Sequence, residues 1–237
     1  MHLAILGASR GVNYHTLLAA LSDPAITRVS LLLRRADALD ADGVVGPAVK
    51  SGRVRVVAGD ATREEDVAAL LEETPDVVVT SIGGVPRLTL RGIVLDQPSV
   101  CTRAAVALLR ALARLGATPR LVAISSMGIG DNHGAMPLAL RDKEGLEYLV
   151  RRAARGLPTP DAVPPVVAEP AAVREDFLPE VVVVRPALLT DGSGGHAVKA
   201  AADAYTYYVS RADVGRFVAT RCLQGEEWAN KAPVVGY

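Results

Sequence analysis

The stretch that decides the fold is Met1-His-Leu-Ala-Ile-Leu-Gly-Ala-Ser-Arg-Gly-Val-Asn13. An apolar run from Leu3 to Leu6 breaks at Gly7, a small polar turn follows, and Gly11 leads into residues 14–21. The run is too short for a helix and predicts a buried parallel strand. Leu17, Leu18 and Leu21 then recur at helical spacing, so a helix is expected there. A strand, a glycine turn and a helix N-terminus together point backbone N–H donors at an anion. Gly7 permits the tight turn, and Gly11 lets a phosphate approach the backbone closely. The pattern G-x-x-x-G-x-N lacks the third glycine of the dinucleotide fingerprint, with Asn13 in its place. A glycine motif of this length is a weak signal by itself; its position before an alternating α/β pattern strengthens it.

Working outward, the 237 residues suffice for one large α/β domain, and half of them are hydrophobic, enough for a sizeable core. A formal net charge of zero argues against an electrostatic nucleic-acid binder. Cys101 and Cys222 are far apart, which suggests no disulfide framework and fits a reducing compartment. No apolar run reaches the roughly 18 residues of a membrane span, and the chain enters a strand at once. The expectation is a cytoplasmic protein, monomer or homodimer, that handles a small molecule and neither nucleic acid nor membrane.

Residues 25–33 read as the second strand, ending at Arg34-Arg35. In a dinucleotide fold this strand end meets the adenosine ribose, where arginine accommodates a 2′-phosphate and an acidic residue favours NAD. With Arg10 in the turn, the arginines favour NADP; Asp37 could instead reach a ribose hydroxyl. Residues 40–52 suggest a frayed helix or loop. Residues 54–58 form the third strand, and Asp60 follows it as either a turn residue or an acceptor for the adenine amino group. Thr62 and Glu65 make a capping-box pattern for a helix over 63–73. The fourth strand, 76–80, delivers Ser81-Ile82-Gly83-Gly84, and the longest helix, 98–115, stops at Gly116. The fifth strand, 121–124, delivers Ser125-Ser126, and a helix over 138–155 carries Lys143 and Glu147. Residues 157–179 hold six prolines among alanine and valine, which excludes a long helix or central strand. An insertion packed over the ligand cleft or the surface is expected there. Residues 181–184 form the sixth strand and 205–209 a short one. Ser210 or Asp213 caps a last helix over 214–223.

Gly-Ala-Ser-Arg-Gly at 7–11, Gly59-Asp60, Ser125-Ser126, Asp142-Lys143 with Glu147, Arg185-Pro186 with Leu189-Thr-Asp-Gly192, and Ser210-Arg211 with Asp213-Val214 occur in this order. Together they resemble an atypical short-chain dehydrogenase/reductase of the NmrA-like and flavin-reductase-like NAD(P)-binding group. The resemblance implies one three-layer, doubly wound, mostly parallel Rossmann domain with strand order 3-2-1-4-5-6-7. It implies a cofactor site at Gly7, Ser9, Arg10, Gly11, Asn13, Arg34, Arg35, Asp60, Ala61, Ser81, Ile82, Gly83, Lys143, Pro186, Leu188 and Leu189. The substrate cleft would be built by the segments after strands four, five and six.

One departure matters. Mainstream members pair a tyrosine acid with a lysine four residues later, and here Ala139 stands four before Lys143. Lys143 then either holds the nicotinamide ribose or is a solvated helix lysine. Ser125 and Ser126 either position a substrate carbonyl or are satisfied turn residues. His133 is a loop histidine that titrates near neutral pH. The reading is an NADP(H)-dependent oxidoreductase acting on a small apolar or aromatic carbonyl-like compound. Its alternatives are an NADP-binding sensor without turnover and a redox-neutral isomerase or cyclase. No metal-ligand spacing, nucleophile elbow or P-loop lysine is present.

Overall fold

The computed structural model describes residues 1–84, 86–89, 92–129, 140–169 and 172–237, with the backbone alone in 86–89 and 92–95. In chain order the elements are β1 (His2–Leu6), α1 (Gly11–Leu21), β2 (Arg28–Leu33), α2 (Val45–Lys50), β3 (Val54–Ala58), α3 (Glu64–Leu71) and β4 (Val77–Thr80). A hairpin of β5 (Pro86–Thr89) and β6 (Gly92–Leu95) precedes α4 (Val100–Leu115), β7 (Arg120–Ile124), α5 (Arg141–Ala153) and β8 (Val181–Pro186). The chain closes with β9 (Leu188–Thr190), β10 (Lys199–Ala201), β11 (Tyr208–Ser210), α6 (Arg211–Phe217) with a π-helical turn Val218–Cys222, and β12 (Val234–Gly236).

The main sheet runs β10-β12-β8-β7-β4-β1-β2-β3. Counting only its strands in chain order, this is the expected 3-2-1-4-5-6 arrangement, extended by β12, parallel to β8, and by antiparallel β10 at the edge. Successive residues of a strand face opposite sides, and both sides are buried here. Leu3, Ile5, Val122 and Ile124 join a core with α1 and α6, while Ala4, Leu6, Leu121 and Ala123 join another with α3, α4 and α5. That two-sided burial explains why the strands read as unbroken apolar runs.

Three expectations are corrected. The strand expected over 205–209 is not in the main sheet: β11 pairs with β9 in a separate ribbon, and β12 takes the seventh position. A strand inside this sheet must be apolar on both faces. Val234 and Val235 are fully buried, whereas Tyr205, Tyr207 and Tyr208 are exposed. The capping box does not form: Arg63 occupies the N-cap of α3 without a side-chain bond. Thr62 instead donates from its N–H and its hydroxyl to Asp60 Oδ1, at 2.8 and 2.9 Å. At the last helix, Ser210, one of the two caps expected, is the cap, its Oγ accepting from Asp213 N, and the correction is to the start: the helix begins at Arg211 and not at 214.

The proline-rich insertion lies against the helices, not over the glycine turn. Leu157, Val167, Val173, Phe177 and Leu178 are buried in the same core as α4 and α5. Its Pro-restricted backbone lets it cover a helical face without secondary structure of its own.

Candidate functional site

Strand β1 ends at Leu6, and the backbone turns at Gly7 with φ +85°. A Cβ there would lie 2.8 Å from Ser81 O, so only glycine allows the turn to sit against the end of β4. Gly11, φ +70°, opens α1, and a Cβ built on it meets nothing within 4 Å. The N-cap is Arg10, which makes no side-chain cap bond, and the first turn of α1 holds no acidic residue. The helix therefore presents unsatisfied N–H donors and a positive dipole end to open space. Asn13, in the position of the missing glycine, is fully buried. Its amide donates to Leu6 O at 2.8 Å and Val79 O at 3.4 Å, tying α1 to the carboxyl ends of β1 and β4 from beneath.

In front of this turn lies a cavity of about 230 Å³. Of the residues singled out from sequence, Gly7, Ser9, Arg10, Arg34, Arg35, Asp60, Ala61, Ser81, Ile82 and Gly83 line it. Leu32, Leu33, Thr62, Asp96, Gln97 and Val100 line it as well and were not anticipated. Thr62 was legible only as a helix cap; Asp96 and Gln97 belong to a stretch, residues 87–97, that carries no clean period, and Val100 reads as an inward residue of the helix over 98–115. Arg35 grips Asp37 through Nε at 3.2 Å and Nη2 at 3.3 Å. Arg10 and Arg34 have no ion-pair partner among the described residues. The turn role of Asp60 is realised, and the Thr62 N–H foremost holds its carboxyl below the usual range. Charge and uncapped helix thus favour an anion, and the apolar Leu32, Leu33 and Val100 favour a flat ring: the donor set fits a dinucleotide.

The residues expected at the other end are arranged differently. Lys143 Nζ donates to Ile82 O at 2.9 Å and Ile124 O at 2.8 Å, bridging the segments after β4 and β7. Neighbouring Asp142 accepts from Cys101 N, Thr102 N and the Thr102 hydroxyl. It caps α4 from α5, because Ser99 is left-handed (φ 62°) and does not cap. Burial foremost pushes the Cys101 thiol up to about 12, so it is not a nucleophile.

Ser125 is buried, and its hydroxyl donates to Glu147 Oε2 at 2.6 Å. Glu147, only 1% exposed, also accepts from Arg185 Nε at 3.2 Å and Arg151 Nη1 at 3.4 Å. Ser126 Oγ donates to Met127 O at 3.3 Å. Pro186 is buried at the end of β8, while Leu188 is 72% exposed beside Tyr208, and Leu189 is half-buried opposite Val209. Pro186, Leu188 and Leu189 do not line the cavity before the glycine turn. His133 and Ala139 fall outside the described residues. The Glu147 network was visible in sequence only as a Lys-x-x-x-Glu spacing.

No helix among the described residues is long and apolar enough to cross a membrane. Among solved structures, an anaerobillin reductase, ChuY of Escherichia coli O157:H7, superposes with a TM-score of 0.70 at 18% identity, covering 100% of this chain and 97% of that one. A wide-type short-chain dehydrogenase/reductase from Veillonella parvula, in complex with NADP, superposes with a TM-score of 0.69 at 14% identity, covering 100% and 94%. At such identities the likeness concerns the fold. A curated relative, "Oxidase pynE" of Aspergillus niger, is 29% identical over 70% of this chain and 72% of its own length. The model of the NAD(P)H-binding family matches residues 7–224, and with the glycine turn, the uncapped helix and the arginine-lined cavity in place, the chain belongs to that family.

Proposed function

We propose that this protein is an NADP(H)-dependent oxidoreductase acting on a small apolar or aromatic carbonyl-like compound. The observation that carries the cofactor choice is the pair of cations without ion-pair partners, Arg10 and Arg34, on the wall of the cavity beside the bare N-terminus of α1. Arg34, assisted by Arg35, would hold a 2′-phosphate, the first turn of α1 the pyrophosphate, and Asp60 the adenine amino group. Lys143 would place its remaining N–H toward the nicotinamide ribose. The nicotinamide supplies hydride chemistry when bound; the chain's residues orient it and polarise what lies opposite. The names of the curated relative, an oxidase, and of the reductases that share the fold agree with redox chemistry.

One observation favours a second reading, a cofactor-binding sensor without turnover. The Ser125 hydroxyl is spent on Glu147 and two Lys143 donors on carbonyls, and position 139 holds no tyrosine. Fluorescence titration with NADPH and NADH, together with NADPH consumption against quinones, flavins and aldehydes, tests both readings. Tighter NADPH binding and turnover on at least one class are expected. Binding without any turnover selects the sensor. Gly11→Val has room for its Cβ but strains a backbone at φ +70°, so thermal unfolding is read beside the titration; a folded variant should lose NADPH, and undiminished binding would move the phosphate site elsewhere.

A further inference from the structure

A second cavity, of about 440 Å³, lies between α5 and the proline-rich insertion, and it shares no lining residue with the cavity before the glycine turn. Ile129, Pro160 and Pro164 supply apolar wall, and Tyr148, Glu144, Glu147, Arg151 and Asp161 supply polar groups. Two of these charges are compensated. Glu147 holds both Arg151 and Arg185, and Arg151 Nε also donates to Pro158 O at 2.5 Å. Glu144 and Asp161 have no ion-pair partner among the described residues. Tyr148 is only 4% exposed, yet its hydroxyl has no hydrogen-bond partner among them.

The ring is buried, but the hydroxyl oxygen is not shut off from solvent, so it opens onto the cavity and can take a ligand's hydrogen bond. It sits on a cavity wall with the carboxylates of Glu144 and Asp161, beside Arg151, which shares the Glu147 carboxylate with Arg185. Among the described lining residues three carboxylates face one guanidinium, the walls are otherwise apolar, and the tyrosine ring is itself attractive to cations. The volume is that of an ordinary small-molecule site. We infer that this cavity binds a small organic cation, an ammonium group carried on an aliphatic or aromatic body. Glu144 and Asp161 receive the charge, Tyr148 accepts an N–H, and the prolines pack the body. Glu147 connects the cavity to Ser125, so an occupant sits one residue away from the carboxyl end of β7. The inference stands apart from the nicotinamide reading.

Calorimetric titration of the nucleotide-free protein at neutral pH with three probes of one shape tests it: phenethylamine, phenethyl alcohol and hydrocinnamate. The amine should bind about tenfold more tightly than the alcohol, as a hydrogen bond to a charged group implies, and hydrocinnamate should not bind. Glu144→Gln with Asp161→Asn, both away from the buried network, should erase the preference for the amine while thermal unfolding stays unchanged. Tyr148→Phe should weaken amine and alcohol alike. A preference for hydrocinnamate, an amine preference that survives the double replacement, or no binding of any probe at millimolar concentration would each overturn the assignment. All of these outcomes are independent of whether NADPH binds.

Discussion

The carboxyl edge of the sheet carries charge in two opposite ways. Beyond β1, β2 and β3, Arg10 and Arg34 are exposed on a cavity wall without ion-pair partners, and Arg35 holds only the exposed Asp37. Around β7 and β8, Glu147 and Arg151 of α5 and Arg185 near the end of β8 are buried, and both arginines are bound to Glu147. A charge in water costs little to leave unpaired, so the first group is available to a ligand. A charge removed from water must be paired, so the second group is committed to the fold. The same residue types are therefore left open to solvent at one end and committed to the fold at the other.

The largest effect should come from breaking the buried group. Glu147→Ala removes the carboxylate that two buried guanidinium groups share, which costs about 3–5 kcal/mol and lowers the melting temperature by roughly 10 °C or more in a domain of this size. A melting temperature within 2 °C of wild type, by the criterion of that same scaling, would show that water reaches the arginines and that the contrast is false.

Next in size is the exposed group. Arg34→Ala should weaken NADPH by about ten- to a hundredfold, the value of hydrogen bonds to a charged group, and leave NADH and the melting temperature nearly unchanged. Arg35→Ala should cost less than Arg34→Ala, because binding through Arg35 must first part it from Asp37. Equal losses for the two cofactors, or a larger effect at Arg35, would transfer the discrimination elsewhere.

The smallest effect sharpens the comparison through pH. Asp213 lies in the first turn of α6, where burial foremost raises its pKa. The Tyr237 hydroxyl, the Gly195 N–H, the Ser210 hydroxyl and the His196 N–H outweigh that and hold it at about 2, against 3.8 for the free carboxyl. Its folded pKa is depressed, so its stabilisation is complete above about pH 4 and is lost as the pH falls toward 2. Thermal unfolding across that window should show a drop that is shallower in Tyr237→Phe. An unchanged slope in the variant would remove the phenol from the account.

Much of this was legible beforehand because the signals are local. Gly7 and Gly11 mark backbone positions, the apolar runs mark strands buried on both faces, and Arg34-Arg35 close a strand whose end faces the ligand side. What was not legible depends on partners distant in the chain. Ser125 reads as a site residue until Glu147, 22 positions on, takes its hydroxyl. Asp142 reads as a helix residue until it caps α4, and Asn13 reads as a glycine substitute until its amide is found beneath two strands. Residues 205–209 look like a strand, but the main sheet accepts the buried valines of β12 instead.

The sequence by itself determined the alternation of strands and helices and the place of the glycine turn, and its resemblance to a known family implied the strand order. The first two follow from hydrophobic periodicity and from backbone angles that only glycine tolerates. Tertiary structure alone decided which charges face solvent and which face each other, and it made the proline-rich segment a wall of a second cavity. Pairing and burial depend on what the fold brings close, and a linear pattern of residue types carries no record of that proximity.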